Sequence, residues 1–305
     1  MFAHFEVVTT PASASPQKFP PRCFDLKSAR AGANDRSATC KELPLACTKQ
    51  KSVSSLRSKW NSGQSTVGAW LSLASDVSAE LVAREGFDYV CVDMQHGAVD
   101  YTASVSMFQA IELGGSIPIA RVPWNEPAII GRVLDAGASG VIVPMVNSAD
   151  EARAVVRACR YAPLGARSYG PTVVGMRRPD YVAWSADHVA VIVMIETAEA
   201  VANVEEIVAV PGVDAVYVGP ADLSLTLGLL PRNNDGVVAF DAALSRVVDA
   251  CCHAGVVPGI HCVGAIGATR AAQGFQLRTV ASDVSAMRSG LAAELAAAAS
   301  SASAG

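Results

Sequence analysis

From Ser55 onward, short and nearly continuous apolar runs alternate with helical patterns, eight of each, and no other feature constrains the fold as tightly. The runs cover 67–71, 89–93, 117–121, 140–144, 190–195, 214–218, 256–261 and 277–281. Helical periodicity falls at 77–85, 101–113, 126–136, 148–160, 198–209, 238–254, 264–273 and 284–299. Runs that are apolar throughout, rather than at every second position, mark strands covered on both faces, as in parallel sheets. Eight strand–helix units in about 245 residues predict an α/β fold of the (β/α)8 TIM-barrel type. A doubly wound open sheet is the alternative.

Local signals agree with this alternation. Asp76 precedes the first helical stretch, and Ser148 precedes Ala149-Asp150-Glu151 as an N-cap with an acid three residues on. Gly86, Gly114, Gly137, Gly255 and Gly274 each follow a helical stretch, where a left-handed cap is expected. The barrel is therefore placed at 55–300, with a frayed Ala- and Ser-rich tail at 301–305. Residues 1–54 show no sustained period, and up to Ser55 the chain carries eight Lys/Arg against four Asp/Glu. They read as a poorly ordered N-terminal extension, with a targeting peptide as the alternative. Residues 161–189 form an irregular connection with three prolines, three glycines and three arginines. A stretch this long reads as functional. It starts at the face opposite the barrel mouth, so it must wrap around or serve a neighbouring subunit.

Composition narrows the function class. A net charge of −4 and the absence of a basic stripe argue against a nucleic-acid surface. No uninterrupted apolar run approaches 18 residues, so no membrane span is expected. The eight cysteines form no C-x-x-C pair and read as small core residues in a reduced, cytoplasmic setting. There is no nucleophile elbow, Walker A loop or dinucleotide fingerprint. The chain has no lysine after Lys59, which excludes a Schiff-base lysine within the barrel.

What remains is a set of polar groups at strand ends. Active sites of parallel barrels are built where strands end at their C-termini. Asp93, Gln95 and His96 follow the second strand, Arg121 ends the third, Glu196 ends the fifth, and Asp222 follows the sixth after Gly219-Pro220-Ala221. Two carboxylates there suit a hard divalent cation, with water and substrate oxygens completing six positions. Taken singly, each acid also reads as a helix cap. The imidazole of His96 suits a general base near neutral pH, with Asp93 or Asp135 as the carboxylate that orients it. Arg121 suits an anionic oxygen, or a structural ion pair. His261 ends the seventh strand, where lining the mouth is the lesser alternative to a role outside the site.

These residues together resemble the HpcH/HpaI aldolase family of metal-dependent pyruvate aldolases. The likeness spans about 55–295 and rests on Val-Gly-Ala-Trp-Leu-Ser-Leu, Asp-Met-Gln-His-Gly, Ile-Ala-Arg-Val-Pro-Trp, Leu-Asp-Ala-Gly-Ala, Ile-Glu-Thr and Val-Gly-Pro-Ala-Asp-Leu-Ser. The resemblance implies retro-aldol cleavage of a 4-hydroxy-2-oxo acid to pyruvate and an aldehyde. It makes His96 the general base, Asp135 the acid that raises its basicity, and Arg121 the group balancing the enolate charge. Glu196 and Asp222 become ligands of Mg2+, Mn2+ or Co2+. Gly219, Ala221, Asp222 and Met194 become the substrate-binding set, with Ala221 and Asp222 offering backbone amides to the carboxylate. A homo-oligomer, a hexamer built as a trimer of dimers, is also implied. Gln95, Met194 and Ser168 depart from the pattern, and Met194 stands where a substrate-contacting glutamine is usual. A CoA-thioester lyase of the citrate-lyase β type and a degenerate, non-catalytic barrel are the rival readings.

Overall fold

Eight parallel strands close into a barrel in chain order, each hydrogen-bonded to the next and the eighth to the first. They are β1 (Thr66–Leu71), β2 (Tyr89–Asp93), β3 (Ile117–Arg121), β4 (Gly140–Val143), β5 (Ala190–Ile195), β6 (Ala215–Val218), β7 (Val257–His261) and β8 (Leu277–Ser282). The computed structural model describes residues 54–302. The expectations for 1–53 and 303–305 lie outside the described residues, and the last helix, Asp283–Ala302, runs two residues into the expected tail.

The strand limits match the sequence reading to within one residue. The reason is the burial pattern. In β5, Ala190, Ile192 and Met194 join the barrel interior, while Val191, Val193 and Ile195 join the layer under the helices. Both faces need apolar side chains, so the period of two is hidden in the sequence. At roughly 25 cal/mol per Å2 of apolar surface, these two layers supply the main drive to fold.

Helix boundaries differ more. Ser75, not Asp76, caps the helix Asp76–Arg84 by accepting the Ser78 N–H at 3.1 Å. Gly115, not Gly114, takes the left-handed conformation with φ 98°. Gly114 stays in the helix, and its lack of a side chain serves packing: a Cβ there would lie 2.5 Å from the Ala83 Cβ, where the two helices meet. The stretch 198–209 breaks at Asn203 into two short helices, and 264–273 begins as a 3-10 turn. Two helices outside the irregular 161–189 connection were not anticipated. Leu56–Asn61 puts Leu56 and Trp60 into the barrel interior, and Pro220–Thr226 follows β6.

The 161–189 connection does not reach the mouth. It folds into Thr172–Arg177 and Tyr181–His188, packed on Pro127–Ala136 and Leu56–Asn61 respectively. Arg167 holds it: the guanidinium pairs with Asp135, lies 4.6 Å from the Tyr161 ring centre and donates to the Tyr181 hydroxyl at 3.2 Å. Its irregularity reflects a set of aromatic and arginine contacts without a single buried face.

The interior is tightest at Gly68. A Cβ there would lie 2.3–2.5 Å from the Tyr89 ring. Gly68→Ala is expected to destabilise the barrel by about 1–3 kcal/mol through overpacking, read as a lower urea midpoint with an unchanged m-value.

Candidate active site

The parallel register of β2 and β3 sets Asp93 beside Arg121. Arg121 Nε donates to Asp93 Oδ1 at 2.8 Å and Nη2 to Oδ2 at 2.6 Å. Trp70 of β1 donates its indole N–H to Asp93 Oδ2 at 3.1 Å, and the guanidinium carbon lies 4.9 Å from the Trp70 ring centre. Asp93 Oδ1 also accepts the backbone N–H of Gln95 at 3.1 Å and of His96 at 3.3 Å. One carboxylate therefore aims the arginine and shapes the turn that presents His96. Burial alone would raise the Asp93 pKa, but the hydrogen bonds and charge of Arg121 outweigh it and hold the carboxyl below its ordinary value.

Glu196 follows β5 and is 2% exposed. Its Oε1 accepts the Met145 N–H at 2.8 Å, and Met145 holds an unusual φ of 56° in presenting that group. Burial, with the neighbouring Asp222 adding to it, pushes the Glu196 carboxyl up to about 7. Gly219 is required by closeness: a Cβ there would sit 2.4 Å from Glu196 Oε2 and 3.0 Å from Met194 Cε. Asp222 lies in the first turn of Pro220–Thr226. The first bond of that helix runs from Leu223 N to Gly219 O, which leaves the Ala221 and Asp222 amides without a helical partner. A carboxylate made reluctant to ionise chiefly by burial, and further by a second acid beside it, would gain from added positive charge, and the pair fits a divalent cation. Among the described residues no group of three or more His, Cys, Asp or Glu forms a fuller ligand set. Water and substrate oxygens would complete the shell.

These groups converge on a cavity of about 580 Å3 at the C-terminal end of the barrel. His96, Arg121, Met194, Glu196, Ala221 and Asp222 line it, together with Gly219. Trp70, Tyr217 and His261 line it as well. The sequence reading gave no role to Trp70 or Tyr217. Both sit at inward strand positions, and an aromatic residue there beside a polar strand end is the signal that was available.

Asp135 does not join them. It lies at the end of Pro127–Ala136, the helix that leads from the mouth end of β3 to the opposite end of β4. There it pairs with Arg167, whose side chain is 1% exposed. The two acids considered as partners for the His96 ring are thus committed to Arg121 and Arg167 within the chain. Among the described residues the Gln95 side-chain oxygen is buried without a hydrogen-bond partner, and Ser168 is exposed.

Removing one partner of a buried pair leaves an uncompensated charge, so Asp93→Asn is expected to cost about 3–5 kcal/mol of stability at neutral pH. The sign with pH follows from the lowered Asp93. Its contribution is complete above the unfolded carboxylate value of about 3.9 and is lost as pH falls through the lower folded value. Unfolding free energies measured against pH should therefore differ most between wild type and variant near neutrality and converge in acid.

Residues 66–290 match the family model described as HpcH/HpaI aldolase/citrate lyase. Over 234 residues the chain is 39% identical to a hydroxypyruvate/pyruvate aldolase from Rhizorhabdus wittichii, covering 76% of this chain and 93% of the relative. Over 212 residues it is 39% identical to a 4-hydroxy-2-oxo-heptane-1,7-dioate aldolase from Shigella flexneri, covering 68% of this chain and 78% of the relative. The crystal structure of an HpcH/HpaI aldolase/citrate lyase family protein from Burkholderia cenocepacia superposes with a TM-score of 0.74 at 36% identity, covering 80% of this chain and 98% of that one. These matches cover most of the barrel, and the chain belongs to the HpcH/HpaI aldolase/citrate lyase family of carbon–carbon lyases.

Proposed function

We propose that this lyase cleaves a 4-hydroxy-2-oxo acid reversibly to pyruvate and an aldehyde, using Mg2+, Mn2+ or Co2+ held by Glu196 and Asp222. The observation that carries this reading is the acid pair itself: a buried Glu196 pushed up to about 7 beside Asp222, in the same cavity as Arg121 and His96. The cation, when bound, supplies Lewis-acid polarisation of the 2-oxo group.

The chain's own residues do the rest. The Ala221 and Asp222 amides receive the substrate carboxylate. Arg121, fixed by Asp93, donates to the 2-oxo oxygen. His96 is exposed at the mouth, and its ring makes no hydrogen bond among the described residues. It takes the proton of the C4 hydroxyl as the C3–C4 bond breaks. The electron pair of that bond moves toward C2, and the aldehyde leaves. Arg121 balances the charge that develops on the enolate oxygen, where a fixed donor has most effect. Return of a proton to C3 gives pyruvate.

The reading includes a homo-oligomer, a hexamer built as a trimer of dimers. Met287, Leu291 and Leu295 support it: they recur every four residues along Asp283–Ala302 and are 51%, 65% and 73% exposed, a stripe suited to another subunit. In such an assembly Asp135 would raise the basicity of the His96 of a second copy, because within one chain the two lie at opposite ends of the barrel. A cytoplasmic setting is supported by the free state of Cys91, Cys159, Cys251, Cys252 and Cys262. Among the described residues no helix is long and apolar enough to cross a membrane.

Pyruvate release from a 4-hydroxy-2-oxo acid should stop on chelation with EDTA and return with any of the three cations. The Glu196→Ala/Asp222→Ala variant should lose on the order of 10³-fold in kcat/KM. Wild-type turnover in that double variant would overturn the proposal.

A further inference from the structure

A polar network runs through the barrel interior and ends at the mouth on a histidine that the mechanism does not use. Tyr89 of β2 and Thr279 of β8 share a hydrogen bond of 2.9 Å. The Tyr217 hydroxyl of β6 donates to Thr279 Oγ1 at 2.5 Å. His261 Nδ1 lies 3.2 Å from the same Tyr217 oxygen. A phenol has one proton, and Tyr217 spends it on Thr279. Its oxygen is therefore an acceptor toward His261, so Nδ1 carries the ring proton and Nε2 is left bare.

The ring is held in this orientation from a second side. Its centre lies 5.2 Å from that of Trp70 with the planes at 86°, an edge-on contact. Trp70 is itself tied to Asp93. Nε2 has no hydrogen-bond partner among the described residues, and the ring lines the same cavity as His96, Arg121 and the two acids. Burial and the nearby Arg121 charge push the His261 pKa down to about 4, so the ring is neutral under ordinary conditions.

A neutral, bare ring nitrogen accepts a hydrogen bond and repels other acceptors. It suits an O–H and not a carboxylate. Arg270, which lines the same cavity, is committed to Asp235 at 2.6 Å and Gln273 at 2.8 Å. A histidine held by protein at both nitrogens would have no acceptor left to offer. This one presents an acceptor to the place where substrate is processed.

We propose that His261 is a specificity-determining residue that accepts a hydrogen bond from a hydroxyl on the aldehyde portion of the substrate, so the enzyme favours hydroxylated aldehydes over apolar ones of the same length. Tyr217 and Thr279 act as positioning residues by fixing the tautomer. The inference rests on the aldolase reading and deepens it by naming the class of the second substrate.

The test is aldol addition of pyruvate, with Mg2+, to glyceraldehyde and to propanal, which share a three-carbon chain and differ in hydroxyls. The ratio of kcat/KM for the two aldehydes is compared between proteins, so their intrinsic reactivities cancel. Wild type should favour glyceraldehyde, and His261→Leu should reduce the ratio up to about tenfold, the effect of one neutral hydrogen bond. His261→Gln, which keeps an acceptor oxygen, should retain more of the ratio than His261→Leu. Tyr217→Phe frees the tautomer and should also lower the ratio, which keeps the test alive if His261→Leu does not fold. A ratio that stays the same in all three variants while both aldehydes react overturns this inference alone. No reaction of wild type with either aldehyde overturns both this inference and the aldolase reading.

Discussion

The buried pair of Asp93 and Arg121 is the interaction on which the mouth depends. Ion pairs taken out of water repay their desolvation only when geometry is good and the remaining donors and acceptors are satisfied. Here the pairing is bidentate, and Asp93 accepts three further N–H groups, from Trp70, Gln95 and His96. Arg121 gains the face of Trp70. Each added contact also positions something else. The backbone bonds fold the turn that carries His96. The indole bond fixes the ring against which His261 stands. A single carboxylate at the end of β2 thus couples β1, β3 and β7 across the cavity.

The second constraint is space. Tyr89 crosses the barrel where a side chain on β1 would otherwise lie, and the Glu196 carboxylate packs where a side chain at 219 would lie. Glycine at 68 and 219 is the only residue type that leaves both places open without moving a neighbour. The interior thereby holds a hydrogen-bonded polar network among close-packed apolar side chains, with its polar groups bonded to each other or facing the cavity.

The strands were legible because burial on both faces leaves an unmistakable apolar run, as in Val191 to Ile195. The mouth was legible because a parallel barrel gathers every strand end at one face, so Glu196 and Asp222 could be grouped before any distance was known. Pairing was not legible. The residues alone left Asp93 and Asp135 both open beside His96, and that each is paired to an arginine within the chain depends on the β2–β3 register and on Arg167, which comes from a stretch with no period. Helices such as Leu56–Asn61 and Pro220–Thr226 are too short for periodicity to rise above chance. The tautomer of His261 depends on hydroxyls from β6 and β8, two strands whose sequences say nothing about each other.

If the mouth takes up pyruvate as an enolate-forming substrate under control of its two acids, the C3 protons must exchange with solvent. Proton NMR of pyruvate in D2O with the enzyme and a divalent cation tests it without an aldehyde partner. The methyl signal should be lost through exchange at C3, dependent on the cation and much slower in Arg121→Lys, where the bidentate contact is gone. A methyl signal that decays no faster than in buffer, with Mg2+, Mn2+ and Co2+ each supplied, would contradict it.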